Sequence, residues 1–304
     1  MRIASTQYHT TMNTALQDAS ARLEVVMQQM ASGLRIQHPS DDPVNSVRVS
    51  RLTREEAALD QYRSNIDALS SRLQQNEVVM DGMVSDMLQA RDLLVWAADG
   101  GNTSQDVQAM STQLGALRDS LFYNANSKDQ EGRYLFSGTA TATPAITYNA
   151  AAAPGARYSF TGNTDAQQVV VGNGVTETAN VTLQEMATQL NLMDSTAATL
   201  STAGVDPNDP LVQANVHASL DGLDTTLDAI NTKIATLGGT QNMLDTLQDN
   251  HANVSLSNKQ SLITLGQLDY GDAAVKLNGY TTAVQATQKA YAKVSALSLF
   301  DVIN

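Results

Sequence analysis

The chain has 304 residues, a net charge of −13 and no cysteine. Its excess of acidic residues argues against a nucleic-acid partner, and the lack of cysteine excludes disulfides, a thiol nucleophile and cysteine-ligated metals. No apolar run approaches the ~18 residues that a membrane-spanning helix needs, so membrane insertion is not predicted. The first residues lack the apolar stretch of a cleavable secretory signal, so we expect any export to use another route.

The first helix is predicted to end at a break near Gly33, which follows the periodic region as a C-terminal cap. Pro39 disfavours helix at the preceding residue. Asp42 then supplies an N-cap, and Pro43 suits the first position of a new helix, so the stretch is a joint between two helices. In the helix before the joint, apolar residues recur at alternating steps of four and three, as in a coiled coil, and so form an apolar stripe along one face, here called a seam. Its members are Met12, Leu16, Ala19, Leu23, Val26 and Met30.

The second helix is predicted from about residue 42 to residue 98, with a stop at Gly100. Asn76 is the one polar interruption of its seam. The apolar seam positions keep one register: Leu59, Tyr62, Ile66, Leu69, Leu73, Met80, Met83, Met87, Ala90 and Leu94. A third helix is predicted after an N-cap near Thr103, and it ends before the segment DQEGRYLFSGT.

Residues 141–206 are predicted to form a small β-rich insert. Prolines, glycines and short runs such as RYSFTG replace the helical periodicity here. Val169–Val171 followed by Asn173 and Gly174 indicates a strand that enters a tight hairpin turn. The chain is therefore predicted to form a long helical hairpin, with the insert between its outgoing and returning helices.

The return begins at Asp209 and Pro210, which repeat the start signal of the first joint. A seam from Val216 to Leu237 follows, and the last helix carries Leu277, Tyr280, Val284, Thr287, Tyr291 and Val294. The predicted fold is mainly α. It is a long antiparallel helical bundle or coiled coil formed by the N- and C-terminal arms, with a small β-rich insert domain.

Three regions are predicted. Residues 1–41 and 270–304 form inner terminal helices that are disordered in the monomer, because a narrow seam buries too little apolar area to offset the entropy of ordering. Residues 42–140 and 207–269 form a middle bundle, and residues 141–206 form the outer insert. An intramolecular antiparallel coiled coil between the two terminal helices is the alternative.

Catalytic, cofactor and metal sites are not predicted, and the chain is not expected to be an enzyme. The histidines lack the spacing of a metal-binding helix, and no phosphate-binding loop or nucleophile motif is present. Asp41 and Asp42 stand at a helix start, where such pairs are usually caps.

Three separated motifs carry a family resemblance. MASGLRIQHPSDDPV resembles the N-terminal signature of the bacterial flagellin family, and Pro39 and Pro43 favour its hook–filament junction members. EGRYLFSGT at residues 131–139 and the terminal SALSLFDVIN are similar to the same members. The signature residues that the resemblance marks for assembly are Ser32, Gly33, Arg35, Ile36, Ser40, Asp41, Asp42, Pro43, Arg133, Tyr134, Leu135 and Phe136.

The resemblance implies a self-assembling structural protein of the flagellum, located outside the cell at the junction between hook and filament. It implies as partners further copies of the chain in a ring, hook-associated protein 1, flagellin, the flagellar type III export apparatus and a cytoplasmic export chaperone. The stripe expected to bind the chaperone and neighbouring subunits is Leu277, Tyr280, Val284, Tyr291, Val294, Leu297, Leu299 and Phe300. Flagellin itself, and a secreted binding module that displays its insert, are the alternatives.

Overall fold

The computed structural model describes the backbone of residues 2–296 and the side chains of residue 7 and residues 9–293. It contains six helices and four short strands in this part of the chain: α1 (Arg2–Ser32), α2 (Pro43–Ala97), α3 (Ser104–Ala125), β1 (Ile146–Tyr148), β2 (Tyr158–Phe160), β3 (Gln168–Gly172), β4 (Val175–Thr178), α4 (Gln184–Leu200), α5 (Pro210–Gly266) and α6 (Tyr270–Ala296). The predicted fold class, mainly α with a small β-rich insert, is confirmed. None of the described helices is both long and apolar enough to cross a membrane.

Local capping determines where the helices begin. Thr103 and Asp106 form a reciprocal capping box at the start of α3, in which each side chain accepts a hydrogen bond from the other residue's backbone N–H. The Asp209 side chain accepts the backbone N–H of Leu211 at 2.8 Å, at the start of α5. Helix α2 begins at Pro43. The boundaries predicted from these caps are therefore confirmed to within one residue.

The chain divides into two compact units. Unit 1 comprises Met1–Leu59 and Ala252–Asn304, and unit 2 comprises Asp60–His251. This division differs from the three predicted regions, because residues of the predicted middle bundle occur in both units and the predicted insert lies within unit 2. The three-part arrangement remains a prediction about the assembled protein.

Within unit 1, α1 lies antiparallel to α6. The His9 ring meets the Tyr291 ring edge-on with 5.5 Å between centroids, and the Tyr270 hydroxyl donates to the Met30 carbonyl at 3.4 Å near the other end of the pair. This is the intramolecular pairing that the sequence left open as an alternative. Ordering of these helices upon assembly remains a prediction.

Unit 2 has one continuous apolar core that includes the insert. The largest fully buried side chains come from α2 and α3, from the loop after α3, from β1, and from α4 and the residue before it: Leu73, Met80, Met83, Met87, Leu94, Leu114, Leu121, Leu135, Phe136, Ile146, Leu183 and Met186. Helix α4 packs against α3. Because strand β1 and helix α4 share this core, the insert is built into unit 2.

Helix α4 lies in the segment for which only strands were predicted. Its buried positions follow helical spacing, and they include Met186, Leu190, Met193, Ala197 and Leu200. The hairpin prediction is confirmed, because β3 pairs antiparallel with β4. Gly174 has a φ of 73° in the turn, a conformation that glycine adopts without steric cost. Strands β1 and β2 form a second antiparallel pair.

A buried carboxylate connects the insert to the helices of unit 2. Asp194 of α4 is 1% exposed and accepts hydrogen bonds from Arg118 of α3 at 2.8 Å and Arg157 at 3.4 Å. The backbone N–H of Gly155 donates to its other oxygen at 3.0 Å. One side chain thus joins α3, α4 and the loop before β2.

Replacement of Asp194→Ala is expected to lower the free energy of unfolding of unit 2 by about 3 kcal/mol, because two guanidinium groups lose their buried partner. Urea unfolding followed by circular dichroism measures the change. Asp119→Ala is the matched control, because Asp119 also binds Arg118 at 2.8 Å while its side chain is 66% exposed. That variant should change stability by at most about 1 kcal/mol. Equal effects of the two variants would contradict the role given to Asp194.

Candidate assembly surfaces

The joint after α1 is a left-handed glycine cap. Gly33 has a φ of 71°, and its N–H donates to the Gln29 carbonyl at 2.8 Å. A Cβ atom at Gly33 would stand 3.2 Å from the Tyr270 hydroxyl. Both the backbone conformation and the space therefore favour glycine at this position.

The joint is hydrogen-bonded to a second break, between α5 and α6. The N–H of Leu268 donates to the Gly33 carbonyl at 3.0 Å, and the N–H of Arg35 donates to the Gly266 carbonyl at 2.8 Å. Leu34 and Gln267 form an isolated antiparallel bridge between these bonds. The backbone groups that one break leaves unpaired are therefore satisfied by the other.

The sequence placed a boundary between residues 269 and 270, where α6 begins, but the capping signal at this second break was not recognised. Asp269 accepts the backbone N–H groups of Gly271 at 2.8 Å and Asp272 at 3.2 Å, as an N-cap of α6. Gln29 was missed as well. Its side chain donates to the Arg35 carbonyl at 2.8 Å and so connects the end of α1 to the joint.

Arg35 and the two aspartates have separate tasks. Both terminal nitrogens of Arg35 lie 3.2 Å from an oxygen of Asp42, and one of them also donates to the Leu265 carbonyl at 2.9 Å. Asp42 caps α2 by accepting the Asn45 N–H at 3.1 Å. Asp41 instead accepts the N–H groups of His38 at 2.8 Å and Gln37 at 3.0 Å. The predicted capping role is therefore confirmed for Asp42, whereas Asp41 binds backbone N–H groups of the turn before α2 and does not cap the helix.

Hydrogen bonds lower the pKa of both carboxyl groups. The backbone N–H of His38 is the main cause for the pKa of Asp41, and the side-chain amide of Asn45 is the main cause for the pKa of Asp42. Because each folded-state pKa lies below the ordinary value, these interactions stabilise the joint at neutral pH. They are lost as the pH falls through the lowered pKa.

The other signature residues of the joint have supporting contacts. The Ser32 hydroxyl donates to the Gln29 carbonyl at 3.2 Å and accepts the Leu34 N–H at 3.3 Å. Ile36 is half-buried, whereas Ser40 and Pro43 are exposed, and Pro43 is the first residue of α2. The joint thus presents a small exposed surface around a hydrogen-bonded interior.

The second signature, residues 133–136, lies in unit 2 and mostly faces inward. Leu135 and Phe136 are 1% and 0% exposed, so they are core side chains. The Lys128 amine lies 4.5 Å from the centre of the Tyr134 ring, a cation–π contact. Arg133 binds Asp129 at 2.8 Å and also contacts Glu131. This signature therefore anchors the loop after α3 to the core.

A cleft of about 410 Å³ opens beside Arg133 and is lined also by Asp129 and Glu131 and by Arg72 of α2. Burial, and then the like charge of Arg133, lower the pKa of the Arg72 guanidinium. Its terminal nitrogen donates to Gln167 at 2.6 Å. Two guanidinium groups and two carboxylates balance one another here, so the cleft has no excess charge to attract an ionic ligand.

The apolar stripe of α6 faces α1 without being fully covered. Leu277 and Tyr280 pack against the small buried cluster of Val26, Leu268 and Ala273, and Val284 and Tyr291 are half-buried. Exposed apolar side chains remain on this helix pair: Val25 at 48%, Met27 at 57% and Val275 at 73%. The side chain of Val294, and Leu297, Leu299 and Phe300 entirely, lie outside the described residues.

Comparison with known proteins connects these features to one family. The family model for the bacterial flagellin N-terminal helical region matches residues 3–141. "Flagellar hook-associated protein 3" of Escherichia coli is 27% identical over 90% of this chain and 91% of its own length. The solved structure of a flagellar hook-associated protein from Vibrio parahaemolyticus is 34% identical, has a TM-score of 0.66, and covers 74% of this chain and 99% of that chain.

The chain belongs to the flagellar hook-associated protein 3 family. The similarity to flagellins is partial. Flagellin A of Vibrio cholerae is 31% identical over 124 residues, which are 41% of this chain and 33% of that flagellin. The resemblance seen in the sequence motifs is thereby confirmed, and the hook-associated protein 3 family accounts for much more of the chain than flagellin does.

Replacement of Gly33→Ala is expected to weaken the joint by about 1–2 kcal/mol, because alanine resists the left-handed conformation. Hydrogen exchange of the backbone amides in residues 20–33 and 266–280 should accelerate about 5- to 30-fold. Gly279→Ala is the control, because its Cβ would meet nothing within 4 Å inside α6, and helix propensity predicts slower exchange there. Unchanged exchange in the Gly33 variant would show that the glycine cap does not stabilise the joint.

Proposed function

We propose that this chain is a structural subunit that joins the flagellar hook to the filament, and that copies assemble through α1 and α6. The observation that carries the proposal is the similarity to hook-associated protein 3 over nearly the whole chain. The incompletely covered seam between α1 and α6 supports the mode of assembly, because apolar side chains of both helices remain available to neighbours.

The pair formed by α1 and α6 buries little apolar area by itself, so contacts with other subunits are expected to provide most of its stability. A two-helix contact with three buried apolar residues gains little relative to the entropy lost on ordering two helices of 31 and 27 residues. Neighbouring subunits would bury Val25, Met27 and Val275 and supply the missing apolar contacts. Subunit addition and ordering of the ends then stabilise one another.

The partners follow from the position that the family name implies. We propose that hook-associated protein 1 lies on the hook side of the layer and the first flagellin subunits on the filament side, outside the cell. The chain would leave the cytoplasm through the flagellar type III export apparatus with the aid of a chaperone. The structural relatives, and a site geometry made of caps and packing contacts, support a structural role without catalysis.

The two alternative functions have less support. A filament subunit would be expected to match flagellin along its length, and the flagellin similarity covers 41% of the chain. A displayed binding module would need aromatic side chains free to contact a ligand. Tyr158 is 5% exposed, burial raises its pKa to about 12, and its ring contacts Phe122 and Tyr148. The rings of Tyr158 and Phe122 therefore belong to the core of unit 2, whereas Tyr148 is 48% exposed.

Assembly should depend on the half-buried stripe of α6. In a strain that lacks its own junction protein, the double variant Val284→Asp, Tyr291→Asp should abolish filament attachment. Each new carboxylate would have to be buried without a partner in the apolar seam, which is energetically costly. Electron microscopy of hooks and filaments is the measurement. The matched control is Ala283→Asp with Ala290→Asp, two exposed positions with the same seven-residue spacing on α6. Normal filaments in the stripe variant would contradict assembly through this seam.

The same stripe is proposed as the chaperone-binding surface, with an amphipathic helix lying in a groove. Calorimetry with the flagellar export chaperone should show at least tenfold weaker binding for the Val284→Asp, Tyr291→Asp variant. The Ala283→Asp, Ala290→Asp variant should bind as the unmodified chain does. Equal affinities of all three proteins would place chaperone recognition elsewhere on the chain.

A further inference from the structure

The two units differ sharply in charge. Unit 2 contains 22 acidic and 8 basic residues, a net charge of −14, whereas unit 1 contains 9 acidic and 10 basic residues, a net charge of +1. The whole net charge of the chain, −13, is therefore located in unit 2. Like charges on unit 2 repel between copies, so contacts that pair unit 1 of one copy with unit 2 of another are electrostatically favoured.

Unit 1 carries an arginine face on the first turns of α2. Its members are exposed and recur at helical spacing: Val44, Val47, Arg48, Arg51 and Arg54. Among the described residues none of the three guanidinium groups forms an ion pair. Acidic residues are absent from residues 43–54 and from residues 250–268 of α5 and the turn after it. This face is therefore basic, has no ion pair among the described residues and is bordered by two exposed valines; the exposed Glu55 follows Arg51 by one helical turn at its end.

Unit 2 carries an aspartate face on α5 with matching dimensions. Asp221, Asp224 and Asp228 are exposed and lie on one side of the helix. Arg91 binds Asp224 at 2.7 Å, while Asp221 and Asp228 form no ion pair within the described part of the chain. The stretch of sequence from residue 158 to residue 232, which includes this face, contains nine acidic residues and no Lys or Arg. Both faces extend about 10 Å along their helices, at a rise of about 1.5 Å per residue.

We propose that the arginine face of one subunit docks on the aspartate face of a second copy of this chain. The proposal rests on the self-assembly proposed above and specifies one of its contacts. The two faces are different surfaces, so each copy keeps one face free for the next neighbour, as a head-to-tail ring or helical layer requires. The exposed valines Val44 and Val47 add apolar area beside the charges.

Charge pairs of this kind set register and encounter rate more than raw affinity. An isolated exposed pair contributes about 1 kcal/mol or less, so the contact acts as a network alongside the apolar seam of α1 and α6. The contact should also weaken with salt, since the Debye length falls from about 10 Å at 0.1 M to about 3 Å at 1 M ionic strength.

The test is a charge exchange between the two faces in the full chain, expressed in a strain that lacks its own junction protein. One variant carries Arg48→Glu, Arg51→Glu and Arg54→Glu, a second carries Asp221→Arg and Asp228→Arg, and a third combines them. Immunoblots of purified flagella measure the chain retained at the junction, and blots of the medium measure export. Each single-face variant should be exported normally and be retained at least tenfold less, while the combined variant should recover to within about threefold of the unmodified chain.

Two control variants test whether the position of the charges matters, rather than the total charge of the chain or the loss of the arginine side chains. Asp245→Arg with Asp249→Arg makes the same charge change at two other exposed positions of α5 and should leave retention unchanged. Replacement of the three arginines by lysine keeps the charge and should preserve retention. Circular dichroism checks that every variant is folded.

The outcomes distinguish this contact from the proposed function as a whole. Normal retention of either single-face variant, or failure of the combined variant to recover, would overturn the docking of the two faces. The latter result would mean that each face binds a different partner, such as hook-associated protein 1 or flagellin. If the Val284→Asp, Tyr291→Asp variant still loses filaments in that case, the proposed junction function stands while this contact is rejected.

Discussion

Unit 1 is organised by the need to satisfy backbone polar groups where two helices break. A helix end leaves N–H and carbonyl groups without intrahelical partners, and burying them unpaired is costly. The ends of α1 and α5 solve this together, because Gly33 and Arg35 exchange hydrogen bonds with Leu268 and Gly266. The signature around Gly33 is therefore one half of a two-part joint. A change at either break affects the other through these bonds.

Apolar burial is distributed very unevenly between the two units. Unit 2 encloses a core of leucine, methionine and other apolar side chains from four helices, three strands and the loop after α3, so it has the contacts of an independently stable domain. The pair formed by α1 and α6 in unit 1 encloses a cluster of Val26, Leu268 and Ala273 and leaves other apolar side chains in contact with solvent. Such a helix pair is suited to exchange solvent contacts for contacts with other subunits. The same exposed apolar side chains favour aggregation of subunits that have not yet assembled.

Buried polar groups give unit 2 its specific packing. Asp194 is surrounded by donors from α3 and from the loop before β2, so a single carboxylate defines where the insert sits on the helices. Asn76 differs, since it is fully buried and its amide atoms have no hydrogen-bond partner among the described residues. In a helical seam a buried asparagine lowers stability but disfavours alternative registers. A polar residue of this kind fixes the register of long helices with repetitive seams, because without it a shift of one helix by seven residues would change the free energy of packing only slightly.

The sequence by itself determined the helices other than α4, the starts of α2, α3 and α5, and the family. Caps such as Thr103 with Asp106, the Asp–Pro starts and the Asn–Gly turn act through neighbouring residues, so they can be read from short segments. Only the tertiary structure decided that α4 is helical, that the insert shares the core of unit 2 and that the break at Gly33 is bonded to the one at Gly266. These features depend on contacts between residues far apart in the chain, and the strand-rich surroundings of α4 concealed its helical spacing. For the same reason the local pattern marked Leu135 and Phe136 as signature residues, while only the packed core shows that they are buried.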